Sequence, residues 1–142
     1  MNHLRQLRTM TEADMITLMP ESDISGVSAR MHCLIDELPE DFFESEIRNG
    51  WFKATTICRD GIALYRVIWQ RVRAGKVLSV LVALEMKPGG DDANYLAAGL
   101  EKIARLEGCS TIIFQTPRRA LVAVAKNWGA EVYAVCLRKK LS

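Results

Sequence analysis

Apolar residues in the first part of the chain recur at helical spacing. From Asp23 onward Ile24, Val27, Met31, Leu34, Ile35 and Leu38 fall every three or four residues, which predicts a helix packed along one face, and Pro39 ends it. Ahead of it, Leu4 to Arg8 reads as a short strand. Thr11 with Asp14 three residues later resembles a capping box, which predicts a helix carrying Met15, Ile16 and Met19. A further short helix is expected to hold Phe42, Phe43 and Ile47 and to close at Asn49-Gly50.

The period then changes to two. The stretch WFKATTICRDGIALYRVIWQRVRAGKVLSVLVALEM is rich in β-branched and aromatic residues and is divided by RDG and RAGK, both hairpin-turn sequences. Three antiparallel strands are expected, at about 51–59, 62–72 and 77–86. Arg66, Gln70, Arg71 and Arg73 mark the second as partly solvated. The third is apolar on both faces, the pattern of a central strand covered on both sides.

Beyond the glycine turn KPGGDD the helical spacing returns. Leu96, Leu100, Ile103 and Leu106 form a stripe, Glu101 and Arg105 stand at i and i+4, and Gly108 is a natural stop. STIIFQT reads as a buried strand. Arg118 to Trp128 reads as a helix, with Leu121, Val122, Ala125 and Trp128 inward, and AEVYAVCLRKKL as a last strand. The order is β-α-α-(α)-β-β-β-α-β-α-β: a single α/β (α+β) domain over residues 1–142, with no internal repeat.

Bulk properties narrow the class. The length suits one domain with a real core, and 49% apolar with 25% charged residues is ordinary for a soluble protein. A formal charge of +2 gives no ground for nucleic-acid binding, and no apolar run has signal-peptide or membrane-spanning length, so a cytoplasmic protein is expected. Cys33, Cys58, Cys109 and Cys136 are scattered, and His3 and His32 are the only histidines; the cysteines read as small buried apolar residues rather than metal ligands. Trp51, Trp69 and Trp128 read as core or groove aromatics.

The element order, the LRTMTEAD opening, the three-strand meander and the run LEGCSTIIFQTPRRALVAVAKNWGAEVY resemble the GNAT superfamily, the acyl-coenzyme A dependent N-acyltransferases. The resemblance covers nearly the whole chain and implies a mixed central sheet with helices on both faces. It also implies acetyl-coenzyme A as cofactor and a small-molecule or peptide amine as acceptor. In that family the central strand parts from its neighbour and leaves backbone groups for the pantetheine arm, while the following turn and helix N-terminus take the pyrophosphate. Carried onto this chain, Leu84, Glu85 and Met86 would line the pantetheine, and the turn from Lys87 through Gly89, Gly90, Ala93 and Asn94 would face the pyrophosphate.

The family's turn motif, Gln or Arg, two residues, Gly, one residue, Gly or Ala, is matched here only at Ala93. Pro88 stands at its first position and Asp91 at its first glycine. Carboxylates at Asp91 and Asp92 cap helix amides and repel a phosphate, and Lys87 is the nearby cation in the sequence. The family's acid, a tyrosine four residues before the glycine of the last helix, is Ala125 here, leaving Tyr133 as substitute. Glu85 is the candidate base, on the expectation that burial raises its pKa toward neutrality. Two other readings stay open: a member of the fold that has lost the cofactor and serves in binding or assembly, and an unrelated α+β domain that forms a homodimer through its sheet edge.

Overall fold

A computed structural model describes residues 15–21, 39, 41–86, 93–114, 125–132, 137 and 139–141. The described elements run β1 (Ile16–Glu21), α1 (Phe42–Arg48), β2 (Lys53–Arg59), β3 (Ile62–Val72), β4 (Val77–Glu85), α2 (Ala93–Leu106) and β5 (Thr111–Phe114). The strands form one mixed sheet in the order β1-β2-β3-β4-β5. The first three pairings are antiparallel and β4-β5 is parallel.

The meander follows from its turns. Arg59 faces Ile62 across a two-residue loop in which Asp60 and Gly61 both take positive φ, the backbone that matches strand twist and that Asp-Gly adopts readily. The RAGK loop closes the second hairpin, and Arg71 steadies it by donating Nε–H and Nη2–H to the Gly75 carbonyl at 3.4 Å each. The α2 helix ends as its sequence signals: Gly108 N–H reaches the Arg105 carbonyl and Cys109 N–H the Ala104 carbonyl, the paired bonds of a Schellman stop.

A helix covers each face of the sheet. On one, α2 lays Leu100, Ile103 and Ala104 over Ile16, Ile57, Val67, Trp69, Leu78 and Val80. On the other, Phe43 of α1 joins Phe52, Ala54, Ile68 and Val82, with Phe42 meeting both aromatic neighbours edge-on. Inside the first core the Trp69 indole N–H donates to the Thr55 hydroxyl at 3.0 Å, which satisfies the one polar atom of a buried ring.

Several expectations need correction. From Ile16 the chain is a strand: Ile16 and Met19 lie in β1, not in a helix. Full burial of Ile16 and a six-residue ladder with β2 outweigh a short helical pattern, and Pro20, which lacks an N–H, is tolerated because β1 is an edge strand of the described sheet. Leu106 is exposed at the end of α2, where the helix has run past the sheet, and Trp51 is 69% exposed rather than part of a core. β5 is only partly buried. The middle strand of the described sheet is β3; β4 is covered on both faces only as far as Val82, and Ala83 and Glu85 are exposed. Of the expected last strand, Val132, Leu137 and Leu141 are exposed and not in a strand, and its middle, residues 133–136, lies outside the described residues. Leu4 to Arg8, the helix from Asp23 and residues 115–124 lie outside the described residues.

The position of α2 is fixed by Gly99. A Cβ there would stand 2.5 Å from Ile57 Cδ1 and 2.8 Å from both its γ carbons. In a free helix Gly→Ala gains about 1 kcal/mol. Here Gly99→Ala is expected to cost roughly 1–3 kcal/mol through overpacking, read as a lower urea midpoint with an unchanged m-value; a raised midpoint would show that the helix can lift off β2 freely.

Candidate functional site

The site is set by an irregularity in β4. Ile68 pairs with Val82 and Trp69 with Val80, so Leu81 is an extra residue opposite β3. Such a bulge shifts the alternation by one. Leu78 and Val80 therefore face α2, whereas Leu81, Val82 and Leu84 belong to the α1 face. The described pairing of β4 with β5 runs from Val77 with Thr111 to Val80 with Phe114, the last described residue of β5. Past the bulge β4 keeps its ladder with β3 to Tyr65–Glu85, extended by Met86 N–H on the Leu64 carbonyl at 2.9 Å. Among the described residues nothing pairs with the other edge of Leu81 to Glu85.

That edge is where three of the expected cofactor residues stand. Leu84 and Met86 are half-buried beside it and Glu85 is exposed, so the burial on which its role as a base was argued is absent. Ala93 opens α2 and Asn94 is exposed in its first turn. Lys87, Gly89, Gly90, Asp91, Asp92 and Tyr133 lie outside the described residues. Ala125, helical in the described residues 125–127, brings no hydroxyl.

Two arginines were missed by sequence reasoning. Arg59 at the end of β2 lies on the α2 face, with its guanidinium 4.7 Å from the ring centre of Tyr95, in the first turn of α2. Its Nε is buried without a hydrogen bond; Asp60 stands 3.9 Å away. Arg66 on β3 lies on the opposite face, and its Nε is likewise buried and unbonded. The Arg59–Tyr95 contact joins residues far apart in sequence, so no local spacing signals it.

The α1 face also carries Glu21, which accepts a hydrogen bond from the Thr56 hydroxyl at 2.9 Å. Cys58 is buried next to this pair. Burial pushes its thiol pKa up, and the Glu21 carboxylate adds to the shift by opposing a second negative charge. A cleft of about 310 Å³ lies elsewhere, between α2 and β5, lined by Arg105, Ser110, Phe114 and Trp128 among others. Its polar groups are already engaged: the Trp128 indole donates to Glu101 Oε1 at 2.9 Å, and Arg105 pairs with Glu101 at 3.8 Å. Among the described residues no three His, Cys, Asp or Glu side chains gather as metal ligands, and no helix is long and apolar enough to cross a membrane.

No protein-family model matches the sequence, and no curated protein matches it. Solved structures do match in fold. An acetyltransferase from Trypanosoma brucei is 16% identical at a TM-score of 0.59, with 89% of this chain and 99% of that one covered. A ribosomal-protein-alanine N-acetyltransferase from Brucella melitensis is 14% identical at 0.61, with 88% and 99% covered. An acetyltransferase from Clostridium acetobutylicum, solved with acetyl-CoA, is 15% identical at 0.60, with 89% and 96% covered. The chain therefore has the GNAT-like α+β fold: a mixed five-stranded sheet with helices on both faces.

A raised thiol pKa means less thiolate at any given pH, and burial slows access further. Iodoacetamide at pH 8 is expected to modify Cys58 at least tenfold more slowly than Cys109, as resolved by peptide mass spectrometry. Equal rates would show that the Glu21–Thr56–Cys58 corner opens readily.

Proposed function

We propose that the chain is an acyl-coenzyme A dependent N-acetyltransferase acting on a small-molecule or peptide amine. The observation that carries this reading is the edge of β4 beyond Leu81, which no described residue pairs, in a fold whose solved neighbours include proteins holding CoA or acetyl-CoA. Backbone amides need partners, and an extended arm with amides of its own can supply them by lying along the strand.

Acetyl-coenzyme A, when bound, supplies the acetyl group as a reactive thioester. The chain's own part is to hold and orient. Leu84 and Met86 flank the arm, while Glu85 stands at the mouth of the cleft. Gly89, Gly90, Ala93 and Asn94 take the pyrophosphate in the turn and first turn of α2, where free N–H groups and the positive end of the helix dipole attract an anion. Arg59, over Tyr95 in the first turn of α2, adds positive charge there.

The amine attacks from the cleft, where its alignment with the thioester provides the rate. Being exposed, Glu85 takes the amine's proton through water rather than by direct contact, and Tyr133 returns a proton to the departing thiolate.

Calorimetric titration tests the reading at its base. Acetyl-CoA is expected to bind in the micromolar range, and Gly90→Glu to abolish binding. The double change Asp91→Asn with Asp92→Asn is expected to tighten it about tenfold, equivalent to about 1.4 kcal/mol of removed repulsion. Absence of heat at millimolar acetyl-CoA would sink the transferase assignment.

A further inference from the structure

Among the described cations of the sheet, Arg66 stands out for a buried Nε that no hydrogen bond or ion pair reaches. It shares the α1 face with Ile68 and sits in a row that crosses four strands: Met19 on β1, Thr56 on β2, Arg66 on β3 and Leu84 on β4 are successive partners. The side chain is partly buried and its Nε is sealed from solvent. Among the described residues its guanidinium makes neither an ion pair nor a hydrogen bond. An acid on that face, Glu21, is held by the Thr56 hydroxyl on the far side of the row. A guanidinium cannot shed its proton to escape such a position, and native structures rarely leave a buried donor unbonded.

The missing partner is best supplied by a ligand. Nε–H and the neighbouring Nη–H of an arginine form a planar fork that matches the two oxygens of a carboxylate. Arg66 stands directly across from Leu84, and adjacent strands are about 4.8 Å apart. A carboxylate held there therefore lies about one strand spacing from β4, along whose far edge the acyl arm is proposed to lie. A polycationic amine would instead be repelled by the unneutralised charge.

We infer that Arg66 binds the carboxylate of the acyl acceptor, and that the acceptor is an α-amino acid with its carboxylate free. This rests on the transferase reading for the fate of the amine, but not for the binding of the acid.

The Arg66 Nε–H resonance, assigned by its loss in Arg66→Met, reports the contact without any cofactor. A mixture of the proteinogenic amino acids, then each alone, is expected to shift it, and the corresponding α-carboxamides to leave it in place. With acetyl-CoA present, acids are acetylated in preference to their amides, and Arg66→Gln lowers kcat/KM for the acids roughly 10- to 100-fold, which erases the preference. Arg66→Met melts no lower than the parent, since it removes an unpaired charge; a loss of more than about 5 °C would make Arg66 a structural residue and overturn the inference. So would a resonance that no amino acid moves, or amides that bind as well as acids. A protein that binds acids at Arg66 and acetylates none keeps this inference and loses the transferase reading. One that acetylates amines with no regard to the carboxylate does the reverse.

Discussion

One inserted residue governs the functional half of this molecule. β4 cannot accommodate Leu81 and stay in step with β3, and the strand resolves the conflict by bulging there and resuming its ladder with β3 to Glu85. The same insertion exchanges the faces. Before it, alternate residues feed the core under α2; after it, Leu81, Val82 and Leu84 feed the aromatic cluster under α1. A strand regular throughout would have buried one stripe on each face from end to end.

The rest of the architecture serves to hold that irregular strand still. Gly99 lets α2 settle against Ile57 closely enough that no Cβ fits, and the Lys102 ammonium reaches the Ile16 carbonyl at 2.8 Å, which ties the helix to the edge strand. The Schellman stop at Gly108 then returns the chain directly into β5, where Ser110 N–H bonds the Lys76 carbonyl at 2.9 Å. With its middle and its end fixed, α2 has little freedom in where it presents its first turn, and Arg59 over Tyr95 marks that turn with positive charge.

The sequence disclosed those features whose cause is local. Both hairpins were legible because Asp-Gly and Ala-Gly-Lys carry the positive-φ chemistry of their turns, and α2 was legible because Leu100 and Ile103 keep helical spacing up to a glycine stop. β1 was not. Its residues carry apolar positions compatible with either period, and what decides is the partner strand more than thirty residues on, through Ile16 opposite Arg59 and Glu21 opposite Ala54. The bulge was hidden for a related reason. VLSVLVALE is apolar on both faces, so a one-residue shift in alternation leaves no trace in the pattern. Leu84, Glu85 and Met86 were legible as the end of a strand, while Arg59 and Arg66 were missed because their surroundings are set by strands and a helix distant in the chain.

Those two arginines give the site an electrostatic order that net charge conceals. A formal charge of +2 says little, yet β2 carries Arg59 on the α2 face and β3 carries Arg66 on the α1 face, each with a buried Nε that no hydrogen bond satisfies. Fixed donors of this kind cost stability in the empty fold, and that cost is recovered when an anion arrives. The sheet separates the two, so a single small anion cannot serve both. The arrangement suits a site that receives two partners from opposite faces, one anionic at the start of α2 and one anionic beneath Leu84, with the open edge of β4 between them.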